Sequence, residues 1–192
     1  MNRRRITDLF QIDSSEILCS EVIEILRLIS PAFQIESIRN VFNSVNDLYH
    51  GNFTGYRACN TGYHDFSHAS AVFLAMARLI NGAALDGIVF SKNDIVAGLA
   101  AAILHDAGYI QQADDREGTG AKHKAIHERR SIEFLSRHGR AFGLTADEIA
   151  AGRSIIQCTD MQKDIASIAF ATRQIKLIGK LLAAADLKRT AT

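Results

Sequence analysis

Eight residues have the type and setting to do chemistry: His64, His68, His105, Asp106, His127, Thr159, Asp160 and Asp186. His105-Asp106 closes an apolar run over residues 95–104. A run of that kind is buried almost all round as a helix. An imidazole and a carboxylate at its end are costly to bury unless they are paired or bound to a metal. Adjacent helical residues point about 100° apart, so both side chains reach one ion only near the helix end. His64 and His68 are four apart and share a helix face. That spacing suits a metal, or one capping and one core histidine. Asp186 sits inside LLAAADL, where a carboxylate pairs, caps or ligates. Imidazoles and carboxylates without thiolate suit Zn, Fe, Mn or Mg rather than a cysteine-bound structural zinc. Two such ions bridged by one carboxylate would activate a water and clamp a phosphoryl group.

Helices must bring these groups together. Asp13 and Glu16 resemble a helix start, and apolar residues from Ile17 to Ile29 recur at helical spacing. Residues 1–12 read as an arm. Pro31, the only proline, precedes a second helix near 35–49 with Val41, Val45 and Leu48 on one stripe. The turn-rich 50–63 segment leads to a helix that carries His64 and His68 and runs to about Ile80, and residues 81–87 read as a turn. Ser91 with Asp94 caps the central helix, expected to end at Gly108. Residues 111–123 read as a mobile polar loop. Residues 124–138 form a helix with Ile126, Ile132, Phe134 and Leu135 inward and His127 near its start. Thr145 with Glu148 caps the next, through about Cys158. The last helix, about 172–187, carries Asp186. His50, His123 and His138 read as surface residues. Arg129-Arg130 and Lys122 with Lys124 read as solvated charge, Asp114-Asp115 as loop charge, and Met161 as core filling.

With 192 residues, 47% hydrophobic and 22% charged, the chain is expected to form one domain with a substantial core. A net charge of +1 gives no basic footprint for a nucleic acid polymer. The longest apolar run is about half a membrane span. Thr7, Asp8, Gln11 and Asp13 interrupt any signal-peptide core after Arg3-Arg4-Arg5. Cys19, Cys59 and Cys158 lack motif spacing and read as reduced thiols, so a cytoplasmic location is expected. One proline, few aromatics and many Ala, Leu and Ile favour an all-α protein.

Four segments in order, YHDFSHA at 63–69, ILHDAG at 103–108, TDMQK at 159–163 and LLAAADL at 181–187, resemble the HD-domain metal-dependent phosphohydrolases. Within them they are most similar to the catalytic domain of class I cyclic-nucleotide phosphodiesterases. The resemblance spans about residues 63–187 and implies an all-α helical bundle of that type. It implies that His68, His105, Asp106 and Asp186 hold a first metal and that Asp106 bridges to a second. The resemblance also implies that a metal-activated water attacks phosphorus and that His64 serves as general acid, a role that needs a near-neutral pKa. His127 matches a histidine-bearing helix and would contact the second metal or the phosphate. Thr159 and Asp160 would line the pocket behind the ligands.

The chain departs from those phosphodiesterases at Asp65, where they usually have Asn, and at Ala107-Gly108-Tyr109, where they carry another histidine. Their paired histidines on the next helix are replaced by His127-Glu128-Arg129. Their glutamine and aromatic purine clamp lie beyond the position of Thr192, so this chain is expected to be a shortened relative or a fragment. The resemblance therefore implies hydrolysis of a small phosphorylated substrate, a nucleotide among them, with one or two divalent ions. HD-fold di-iron oxygenases share the ligand set, and a non-catalytic HD binding module is the third reading. The stripes of the first two helices serve core packing or a homodimer equally.

Overall fold

The computed structural model describes residues 15–33 and 35–187. Asp13 and the 1–12 arm, like residues 188–192, lie outside them. Seven α-helices follow in order: α1 (Ser15–Ile29), α2 (Glu36–His50), α3 (Phe66–Leu85), α4 (Lys92–Leu104), α5 (His127–His138), α6 (Ala146–Ile156) and α7 (Arg173–Leu187). Among the described residues there is no β-strand, only an isolated antiparallel bridge between Tyr56 and Gln112. The protein is an all-α bundle.

Helix α4 is the axis. A capping box between Ser91 and Asp94 starts it, and every residue from Ile95 to Leu104 is buried. Burial on all sides follows from its neighbours, since α2, α3, α6 and α7 all pack against it. Small residues let them close in. A Cβ on Gly98 would stand 2.7 Å from Ile178 Cγ2 of α7, so only glycine accepts that approach without a shift. The apolar core continues through Val22, Leu26, Phe42, Phe73 and Leu182.

Several boundaries differ from expectation. Helix α3 does not turn at Asn81 but runs to Leu85. Gly82 is tolerated inside it, and the left-handed residue that stops it is Gly87, at φ +86°. The Gly87 and Ile88 amides close on the carbonyls of Ala84 and Ala83. At 20 residues, α3 is long and apolar enough by composition to cross a membrane, beyond what the longest apolar run suggested. It packs against α1, α4 and α7.

Helix α4 ends at Leu104 rather than Gly108, and a 3-10 turn follows at Ala107–Tyr109. Helix α5 begins at His127. The preceding chain bonds in 3-10 fashion, Lys124 to Ala121 and Ile126 to His123, and leaves Ile126 37% exposed instead of inward. Helix α6 ends at Ile156, and Cys158 belongs to a short 3-10 turn, Gln157–Thr159.

Candidate metal centre

Three chain segments deliver the predicted ligands to one point. His68 lies in the first turn of α3, where the Asp65 carboxylate caps the helix by accepting the His68 amide at 2.9 Å. Asp65 thus performs a capping task open equally to Asn. His105 caps the C-terminus of α4 with helical backbone angles, and Asp106, at φ −103° and ψ 3°, has already left the helix. That exit overcomes the 100° splay of adjacent helical residues. His105 Nε2 stands 3.2 Å from Asp106 Oδ2. Helix α7 brings Asp186 from the opposite side, 3.2 Å from His68 Nε2 and 3.5 Å from His105 Nε2. His68 Nε2 also stands 3.3 Å from Asp106 Oδ2.

These separations are the fit test for an ion. Ligands held at about 2.1 Å around a tetrahedral or octahedral ion lie roughly 3.0–3.4 Å from one another. The histidine nitrogens are close to the carboxylates but not aligned with them. The Nε2 atoms of His68 and His105 are buried without a hydrogen-bond partner. His105 Nδ1–H donates to the Ala102 carbonyl at 2.8 Å, which leaves Nε2 bare in the neutral ring. Two overlapping groups, His64 with His68 and Asp106, and His68 with His105 and Asp186, can each hold a metal ion. Two orphaned imidazole nitrogens aimed between two carboxylates fit a divalent cation better than a hydrogen-bond network.

The charges of these groups are mutually dependent. Burial alone would strip the proton from His105, but Asp106 and Asp186 hold its pKa well above the ordinary imidazole value. Burial would likewise raise Asp106, yet His105, His64 and His68 hold it well below the usual carboxylate range. Asp186 is lowered too, by His105 and His68 against its own burial. A cation can replace the imidazolium protons in that balance.

His64 is not on the face of α3 as expected but precedes the helix, whose N-cap is Asp65, and it reaches the same carboxylate, its Nδ1–H donating to Asp106 Oδ2 at 2.7 Å. Its backbone is pinned because Thr61 Oγ1 and Cys59 Sγ both donate to its carbonyl. The ring is partly exposed to a cleft of about 1030 Å³ with Asp106 and Asp186 on its wall. His127 faces the other oxygen of Asp106, Nε2 to Oδ1 at 3.6 Å, with its Nδ1–H on the Lys124 carbonyl at 2.8 Å. Thr159 and Asp160 line the cleft, but their side-chain bonds are local. Thr159 Oγ1 donates to Ile156 O, and Asp160 accepts the Gln162 amide. Neither is seen bonded to the histidine–aspartate cluster.

Other expectations are corrected. Met161 is not core filling, because it is 85% exposed on the cleft wall. Arg130 is not solvated charge, since its guanidinium donates to the carbonyls of Gly108 and Ile110 and braces the turn beyond Asp106. His138 packs against Phe53 and Phe134, and His123 is largely covered beside Asp115. Residues 111–123 are fastened rather than loose. Gln111 accepts from Asn60 and donates to Glu117 O, Gly120 N donates to Asn60, and Lys122 pairs with Asp115. His50 is exposed as expected, and Cys19, Cys59 and Cys158 are free thiols.

Sequence reasoning missed Tyr109 and Ser131. Tyr109 is buried against His64 and His127. It stands three residues after Asp106, and the three-residue period of a 3-10 turn was the signal available. Ser131 Oγ donates to His105 O at 2.6 Å and accepts the Gly108 amide at 2.8 Å, a role without a local sequence signal. Compared with known proteins, the chain matches no family model, no curated protein and no solved structure.

Proposed function

We propose that this protein is a metal-dependent phosphohydrolase of the HD type that cleaves a small phosphoester. The observation that carries this reading is the convergence of His68, His105, Asp106 and Asp186 on one point beside a large cleft, with His64 held by the same Asp106. A divalent ion bound there supplies positive charge to a phosphoryl oxygen and lowers the pKa of water.

The chain's own residues supply the rest. Asp106 accepts the Nδ1–H of His64 and so fixes its tautomer and ring plane, as a carboxylate orients a catalytic imidazole. The opposite ring nitrogen, Nε2, is then the atom that carries a proton to the leaving oxygen. Asp186 and Asp106 flank the two bare imidazoles, so the ligand set offers two negative charges to balance the ion. Lys124 on the cleft wall offers positive charge to an anionic substrate.

The test compares purified wild type with Asp106→Asn for metal content by elemental analysis, and then for phosphomonoester and phosphodiester hydrolysis with the metal found. Bound zinc, manganese or iron in wild type and its loss in the variant, with matching loss of hydrolysis, supports the reading. A wild type unable to take up metal on reconstitution overturns it. Two irons with dioxygen consumption and no hydrolysis would replace it with an oxygenase.

A further inference from the structure

Tyr109 carries an inference that rests on the hydrolase reading and deepens it. Its ring lies nearly parallel to His64, with centroids 4.3 Å apart at 17°, and nearly parallel to His127, 4.3 Å apart at 20°. The two imidazoles are 6.2 Å from each other. One bonds Oδ2 of Asp106 and the other faces Oδ1. Tyr109 therefore packs against both imidazoles, each of which addresses its own oxygen of the shared carboxylate.

The ring itself cannot drift. Tyr109 N donates to Asp106 O at 3.0 Å, which ties it to the ligand by a single turn. A Cβ on Gly108 would stand 1.9 Å from His127 O, and one on Gly120 would stand 2.1 Å from Tyr109 O. The turn is thus pressed between the start of α5 and the 120–123 segment at two points that only glycine permits. Arg130 holds the carbonyls on either side of Tyr109. The side chain is 3% exposed. By contrast, His64 is half-exposed, and no hydrogen bond to its ring is seen besides that to Asp106.

We propose that Tyr109 is a positioning residue: its ring packs face-on against His64 and His127 and fixes the plane of each, so that His64 presents Nε2 at a set angle to the leaving oxygen. The ring face performs this task, and the hydroxyl does not. Misplacing a catalytic group by about 1 Å costs up to a hundredfold in rate.

The experiment compares wild type, Tyr109→Phe and Tyr109→Leu in two ways. In metal-free protein with labelled histidine rings, NMR reads the His64 and His127 ring protons. Wild type should show cross-peaks from the Tyr109 ring to both imidazoles. Tyr109→Phe should preserve the positions of both histidine signals, and Tyr109→Leu should move both while leaving His105 in place. In metal-loaded protein, Tyr109→Leu should lower kcat for a phosphoester by about ten- to a hundredfold with KM and metal content nearly unchanged, and Tyr109→Phe should stay within about threefold of wild type. Absence of the wild-type cross-peaks overturns the inference. So does Tyr109→Phe as impaired as Tyr109→Leu, or Tyr109→Leu with unmoved histidine signals. If Tyr109→Leu fails to fold, the wild-type cross-peaks and Tyr109→Phe decide. If wild type hydrolyses no phosphoester, the hydrolase reading falls and the NMR arm still judges whether Tyr109 fixes the two rings.

Discussion

The two oxygens of Asp106 face different surroundings. Oδ2 lies within 3.3 Å of three imidazoles, His64, His68 and His105, two of them buried and set by α3 and α4. Oδ1 has His127 at 3.6 Å, from the first residue of α5, a residue that lines the cleft. The first half is closed by helix ends packed against a common core, and the second is held by a turn and by aromatic contacts. The site thus has a closed histidine–aspartate cluster on one side and an open cleft on the other, with a single carboxylate joining them.

The largest effect expected is that of Asp106→Asn. It removes the joint, so metal affinity should fall by more than the roughly 10–100-fold typical of losing an outer-shell partner. Leaving the buried imidazolium with Asp186 as its remaining counter-charge should also cost up to about 3–5 kcal/mol in the metal-free protein, read by denaturant unfolding. Gly108→Ala should separate the halves. Its Cβ meets the His127 carbonyl, so α5 must shift while His68, His105 and Asp186 stay. Isothermal titration should then show one metal bound much as in wild type and any second binding weakened at least about tenfold. Loss of the first metal as well would show that the halves are not separable.

Ser131→Ala sharpens the comparison from behind. It deletes a buried hydroxyl that joins His105 O to Gly108 N, and about 1–3 kcal/mol of stability should be lost, with His127 perturbed more than His68. Acidity tests the closed half alone. Asp106 is held low in the metal-free fold, so its contribution is present above the ordinary carboxylate value and fades as pH falls. His105 is held high, so its contribution is complete below the ordinary imidazole value and fades as pH rises through the raised one. Metal-free protein should therefore lose thermal stability on going from pH 6 to 9, and added metal should restore it at the alkaline end. A metal-free Tm that rises over that range contradicts the imidazolium–carboxylate cluster.

The smallest effect concerns the joint between α6 and α7. Burial pushes the Cys158 thiol up to about 11, and a Cβ on Gly179 would meet its sulfur at 2.5 Å. Alkylation of Cys158 at pH 8 should thus be slow in the native protein and fast once denatured. Rapid native alkylation would mean that α7, and with it Asp186, is less firmly seated than the packing implies.

Much of this could be read in the chain. The capping boxes at Ser91 and Thr145 mark two helix starts because they are local chemistry, side chain to amide within one turn. The buried course of α4 follows from ten successive apolar or small residues. Reading His105, Asp106 and Asp186 as costly to bury unsatisfied depended only on their apolar surroundings. Where α3 and α4 end was not legible. Asn81-Gly82 and Gly108 look like stops, but helix propagation through Ala83–Leu85 and the demands of the Asp106 site override them. Met161 and Arg130 were misplaced for one reason: apolarity and charge set a preference, while the neighbouring backbone decides what is covered.

Residue types and their order were enough to specify helices, a buried axis and a set of histidines and carboxylates that no apolar core accepts without partners. They were enough because each rests on interactions within a few residues or on the solvation of one side chain. The pairing of His64 with one oxygen of Asp106 and His127 with the other, the ring of Tyr109 against both, and the Ser131 link to His105 were settled only in three dimensions. Those contacts span 22 to 42 residues of chain wherever Asp106 meets His64, Gly108 meets Arg130 or Ser131, or His105 meets Ser131. Their geometry depends on how α3, α5 and α7 close around α4, which no local pattern encodes.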